Sequence, residues 1–403
     1  MNKFFYSGAF AIFVLVLFLA NETKVFSNMR TFVGSVFFMD SSTERTLKDA
    51  YTTSLLDDQR PVKILIVPGH DDKYFGAQFR GLREANINLE LAEKLAKLFR
   101  AQGRFSVTVT RTQEGYNPVI SDFLEREESA ILAFVKQKKE TMGSLIDRRI
   151  VGTVDSIEHV FAPGDTAFHL YGINYFANKN SFDIVLHIHF NDYPREDFRV
   201  AGKYKGVAIY IPESQYSNFY GSRALAEKIF ERLLKFYPQS SFQREAEGII
   251  PSQDLIAIGA YNTLDSAALL LEYGYLYEPQ FQNEEIRDKT LDELALQTYI
   301  GTINLLGISY KTKFGSANLG RLDSPSLEYK EAGADVLKLQ TALLSLNMYP
   351  PKGKTFLECP LSGIFFRCTK QSVLEFQVKY GISPALGYAG PITIKKLNAV
   401  LAE

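Results

Sequence analysis

The chain has 403 residues, too many for one compact core, so two folded units with accessory segments are expected. Its residues are 46% apolar and 23% charged, and its formal net charge is -1, which excludes a disordered chain and the basic stripe of a nucleic-acid binder. Tyr (22) and Phe (31) are plentiful although Trp is absent, a composition that permits but does not show a polar-aromatic surface suited to sugars.

The elements follow in chain order. Lys3 precedes an uncharged apolar run, Ala9–Ala20 (AFAIFVLVLFLA), whose length fits the h-region of a signal peptide. Extended back to Phe4, it approaches the lower limit of a membrane span, and no small-x-small cleavage site follows Ala20. Residues 1–25 are therefore either a cleaved signal or an uncleaved anchor in contact with a membrane. Either places the body of the protein outside the cytoplasm, in a periplasm, a cell wall or the medium. Residues 26–60 lack a sustained period and read as a spacer.

From Pro61 the texture changes. Val62–Val67 (VKILIV) is a short β-branched run ending in Pro68-Gly69, the mark of a buried strand. Leu82–Arg100 carries Ile87, Leu91, Leu95 and Leu98 at helical spacing. Phe105–Thr110, Asp183–His189, Gly206–Ile211 and Ala267–Glu272 are further strands, and Ser217–Phe236 and Glu284–Leu306 are amphipathic helices. This alternation predicts an α/β domain over 61–307 with a twisted, mostly parallel sheet and helices on both faces. Residues 113–180 interrupt the rhythm: Asp122–Val151 reads as one charged surface helix and Thr153–Tyr171 as irregular. That insertion is either a lid or partner surface for a regulatory protein, or a decorated loop. Residues 308–330 have a linker's composition. Helical patterns then return from Ala332, over Thr369–Tyr380 and over Pro391–Leu401, predicting a small three-helix domain at 331–403. The only two cysteines, Cys359 and Cys368, lie in it as a candidate disulfide.

Of five histidines, His70 and His189 stand at or beyond the carboxyl ends of predicted strands, as does Glu272. Sites in open α/β sheets form in the crevice beyond those ends. Glu84, near the start of the first helix, belongs to the same edge. Two imidazoles and a carboxylate match the ligand set of a catalytic zinc with an open fourth position, and a second carboxylate, Glu272, could take the proton from water there. With a period of two, His187 faces the same side as His189, so either could reach a metal.

The segment ILIVPGHDDKYFGAQFRGLREANINLELAEKL resembles the opening of the zinc-dependent N-acetylmuramoyl-L-alanine amidases of the amidase-3 type. DIVLHIHFN is similar to that family's Asp-x-x-x-Ser-Ile-His-x-Asn strand, ALLLEYGYLYEP to its Leu-x-Glu-x-Gly-Phe segment, and KGVAIYI to its Gly-Val strand. The resemblance spans about residues 62–306 outside the insertion. It implies zinc held by His70, Glu84 and His189, Glu272 as catalytic glutamate and Asn191 on the substrate side. The His-x-Asn match favours His189 and leaves His187 as a supporting group or rival ligand. Val67, Asp71 and Ile173 depart from the family's pattern, so substrate positioning is less fixed than the metal site.

GADVLKLQTALLSLNMYP, SGIFFRCTKQSVLEFQVKYGI and GYAGPITIKKLNAVL resemble the small helical peptidoglycan-binding domain, through Asp335, Val336, Leu339, Gln340, Gly363, Thr369, Phe376 and Gln377. Together the two resemblances imply an exported hydrolase of the amide between N-acetylmuramic acid and L-alanine, active in wall remodelling or lysis. A zinc peptidase cutting within the stem peptide and a non-catalytic wall-binding scaffold remain alternatives.

Overall fold

The computed structural model describes residues 40–71, 73–154, 162, 164–193, 197–311 and 314–402. The expected signal or anchor at 1–25 lies outside them. Six strands form the central sheet: β1 (Val62–Pro68), β2 (Phe105–Val109), β3 (Ile184–Asn191), β4 (Ala208–Pro212), β5 (Ile249–Ser252) and β6 (Ala267–Tyr275). Their order is β2-β1-β3-β6-β4-β5. Every pairing is parallel except β6 with β4. The mostly parallel sheet expected from the alternation is therefore present. Strand β5 was not anticipated. Its four residues include Pro251, which lacks the N–H of a central strand and suits this edge position.

Alternate residues of the central strands feed two cores. Ile64, Ile66, Leu186, Ile188, Leu269 and Leu271 face one side, where α2 (Glu84–Arg100), α6 (Phe219–Leu233) and α7 (Glu284–Leu305) pack. Leu65, Val67, Val185, Ala268 and Leu270 face the other. This period of two explains why both faces need cover. The second face is covered by α3 (Pro118–Arg126), α4 (Glu128–Asp147) and α5 (Gly164–Lys179), through Ile120, Phe123, Leu124, Ile131, Ile173 and Phe176.

Several segments differ from the sequence reading. Asp122–Val151 is two helices that break at Glu127, and the nominally irregular Thr153–Tyr171 already contains the start of α5. Helix α5 escaped notice because Phe168, Leu170, Tyr171, Ile173 and Phe176 are spread around it and leave no clear stripe. The spacer holds α1 (Glu44–Leu56), closed by a Thr43–Thr46 capping box and seated by buried Leu47. Helix α2 begins at Glu84, since Leu82–Arg83 pairs with Gln78–Phe79 in a short hairpin.

The linker region 308–330 is not detached. Leu322 and Leu327 are buried, and Leu327 exchanges two backbone hydrogen bonds with Ala389. The three C-terminal helices are α8 (Ala334–Ser345), α9 (Arg367–Lys379) and α10 (Pro391–Ala402), with Cys359 and Cys368 joined in a disulfide. Their core runs into that of the α/β unit. Ile286 of α7 packs against Gly363, where an added Cβ would lie 2.8 Å from it.

Candidate metal centre and active-site cleft

At the carboxyl edge of the sheet, β1 ends in Pro68 and the chain turns sharply. The Gly69 N–H donates to the Ile188 carbonyl (2.9 Å), and His70 takes a left-handed backbone conformation (φ 63°). A non-glycine residue there is strained, and strain of this kind concentrates where a side chain must point into a site. The turn is held from beneath. Asn88 Nδ2 donates to the Gly69 carbonyl (2.9 Å), and the buried Arg111 guanidinium donates to the carbonyls of Pro68, Gly69 and Ala85. Gly69 must be glycine on packing grounds, because a Cβ would sit 2.1 Å from the His189 ring.

Glu84, the first residue of α2, is buried. Its Oε1 lies 3.0 Å from His189 Nδ1 and its Oε2 lies 3.2 Å from His70 Nε2. The Ala77 N–H donates to Oε2 (2.9 Å) and the Phe190 N–H to Oε1 (3.3 Å). Candidate ligand atoms of His70, Glu84 and His189 all lie within 4.8 Å of one another, and His187 is not a member of that group. Burial would raise the Glu84 carboxyl, but the imidazoles of His70 and His189 outweigh it and hold the group well below the usual carboxylate range. At His70, burial works against the imidazolium, yet the charge and hydrogen bond of Glu84 leave its pKa raised. Two imidazole nitrogens and a carboxylate oxygen converge here, an arrangement that a divalent cation would engage. The donor set, two nitrogens and one oxygen, suits zinc.

The remaining candidates line the same cleft, whose volume is about 540 Å³. Glu272 is paired in register with His189, is buried, and among the described residues its Oε2 has no hydrogen-bond partner. Burial first, then the nearby carboxylates of Glu84 and Glu245, push its carboxyl well above the ordinary value. His187 is fully enclosed. Burial, then the neighbouring His189, lower its pKa to about 3, so its ring is neutral at physiological pH. Among the described residues the insertion contributes to the cleft wall through Thr166, His169 and Ile173 of α5. His169 meets Tyr116 edge to face at 5.1 Å, and Asp165 ties the same helix to Lys73 across the mouth (2.5 Å).

Residues 64–303 match the family described as N-acetylmuramoyl-L-alanine amidase, amidase-3 type. The chain belongs to that family. The amidase is similar in structure to an N-acetylmuramoyl-L-alanine amidase from Clostridium difficile 630, at 18% identity and TM-score 0.38, over 60% of this chain and 97% of that one. It is also similar to the CwlD amidase of Clostridioides difficile, solved with the GerS lipoprotein (18%, TM-score 0.39, 61% and 98%). A third likeness is to Ami1 of Mycobacterium smegmatis (15%, TM-score 0.39, 61% and 97%). No curated protein matches the chain. With the family comes the enzyme class: an amide hydrolase whose substrate is peptidoglycan.

Two features of the amidase's site escaped the sequence reading. Arg111 stands just past the predicted strand Phe105–Thr110, and nothing near it in sequence signals three carbonyl partners. Glu245 follows no motif either. It is buried, and accepts from Asn191 Nδ2 (2.9 Å), Tyr210 OH (2.8 Å), Tyr275 OH (3.2 Å) and Ser240 Oγ. A β-bulge between Glu272 and Tyr275, with Gly274 at φ 137°, sets Tyr275 opposite Asn191 in this network.

Proposed function

We propose that the protein is an exported, zinc-dependent amidase that cuts the bond between the lactyl group of N-acetylmuramic acid and L-alanine. His70, Glu84 and His189 are the zinc ligands, Glu272 is the general base, and Asn191 faces the substrate. The observation that carries the reading is the juxtaposition of the His70–Glu84–His189 group with the unpartnered carboxylate of Glu272, one strand away. Bound zinc would supply Lewis-acid polarisation of the amide carbonyl and of the attacking water. Glu272 takes the proton of that water and returns it to the leaving nitrogen, a transfer for which its buried Oε2 has no competing partner among the described residues. His187, neutral and enclosed, stands two residues before His189 on the same strand.

Residues 331–403 act as a peptidoglycan-binding module that keeps the cleft near its polymer, raising effective concentration without new contacts at the scissile bond. The Cys359–Cys368 disulfide suits an oxidising compartment. The outward side of α4, with exposed Lys136 and Glu140, is the surface on which a regulatory protein would bear on the cleft, because α5 packs between α4 and the cleft. Digestion of purified peptidoglycan by the zinc-loaded protein, followed by mass spectrometry, tests the reading. Free intact stem peptides are expected. Fragments cut inside the stem would instead identify a zinc peptidase, and no release at all would refute hydrolysis.

A further inference from the structure

Glu245 is a carboxylate without a role in the chemistry above, yet it is almost wholly buried beside the cleft. Among the described residues no cation pairs with it; four uncharged donors surround it instead. Burying a carboxylate this way is costly even when its lone pairs are satisfied, so such a group is retained for what it orders. What it orders is asymmetric. A carboxylate can only accept, so the Asn191 side chain has one allowed orientation: Nδ2 toward Glu245 (2.9 Å), and Oδ1 left for the cleft that Asn191 lines. Tyr210 OH, on the same Glu245 oxygen, fixes that oxygen from the other side (2.8 Å). Ser240 and Tyr275 hold the second oxygen.

We infer that Glu245 is a positioning residue for Asn191, which thereby offers a fixed acceptor, Oδ1, to the N–H of the amide being cut. This deepens the amidase reading and rests on it. An amide N–H held in this way turns the nitrogen's developing lone pair away from Asn191 as the carbonyl carbon becomes tetrahedral. The pair is then free to receive the proton from Glu272. An acceptor aimed at the N–H also distinguishes an amide from an ester, which has no hydrogen to donate. A site built to receive a hydrogen-bonding group discriminates strongly on its presence.

The test compares two substrates on the zinc-loaded full chain: a muramoyl-L-alanyl peptide, and its depsi-analogue in which L-lactate replaces L-alanine, so that oxygen stands in place of the N–H. Asn191→Ala and Glu245→Ala should each lower kcat on the amide by about 10-fold, the scale of one oriented hydrogen bond, and lower it on the ester by much less. The double variant should be no slower than Asn191→Ala alone, since both remove one interaction. Glu245→Gln, which keeps an acceptor for Asn191 Nδ2, should recover most of the amide activity. Equal losses on amide and ester, or additive losses, would overturn the inference, and Asn191→Ala decides it even should Glu245→Ala fold poorly. If wild type releases stem peptides but the variants lose both substrates alike, only the positioning role fails. If wild type cleaves neither substrate, the amidase reading fails with it.

Discussion

Gly76 shows how tightly single atoms are set around the candidate metal centre. Its φ is 69°, and an added Cβ would lie 2.4 Å from Glu84 Oε2 and 2.6 Å from the His70 ring. Gly76→Ala is therefore strained in backbone and in packing at once, with a cost of about 1–3 kcal/mol. The expected outcome is a lower melting temperature together with weakened zinc retention, because the displaced atoms are those of two proposed ligands. A variant that melts lower but binds zinc with unchanged affinity would show that the loop is structural only. At this scale the sequence was partly legible. His70, Glu84, His189 and Glu272 could be named because they end strands or open a helix, and because their motifs resemble a family. Arg111 and Glu245 could not, since the partners of Arg111 lie 26–43 residues away and three of the four partners of Glu245 lie 30–54 residues away, brought to them by the fold.

At the level of elements, residues 113–180 serve the fold as well as the cleft. The buried Ile120, Phe123, Leu124, Ile131, Ile173 and Phe176 are the cover for one face of the sheet, against Leu65, Val67, Val185 and Leu270. Burying an aliphatic or aromatic side chain contributes about 1.5–3 kcal/mol, so losing six outweighs the stability of an ordinary domain. Excision of 113–180 should thus give a protein without a cooperative thermal transition. A folded, cooperatively melting deletion variant would show that the segment is a dispensable decoration. The sheet was readable from its β-branched runs. Helix α5 was not, because a helix whose apolar residues lie all around it has no periodic contrast, and the edge strand β5 is too short to show an alternation.

Over the whole molecule, the shared hydrophobic core and the Ile286–Gly363 contact fix the C-terminal helices against the α/β unit. The proposed wall-binding module and the cleft are thereby presented as one body, a relation that linker composition at 308–330 concealed: its polar residues surround two buried anchors, Leu322 and Leu327. The same folding brings together residues from the ends of three strands and the start of one helix, and on that convergence the proposed metal-dependent chemistry depends. The most direct measurement is the zinc content of the purified full chain and five variants, read beside release of stem peptides from peptidoglycan. Wild type, His187→Ala and Glu272→Gln should each retain one zinc, with Glu272→Gln inactive, whereas His70→Ala, Glu84→Ala and His189→Ala should lose both metal and activity. Zinc retained by His189→Ala but lost from His187→Ala, or full activity in Glu272→Gln, would contradict the account.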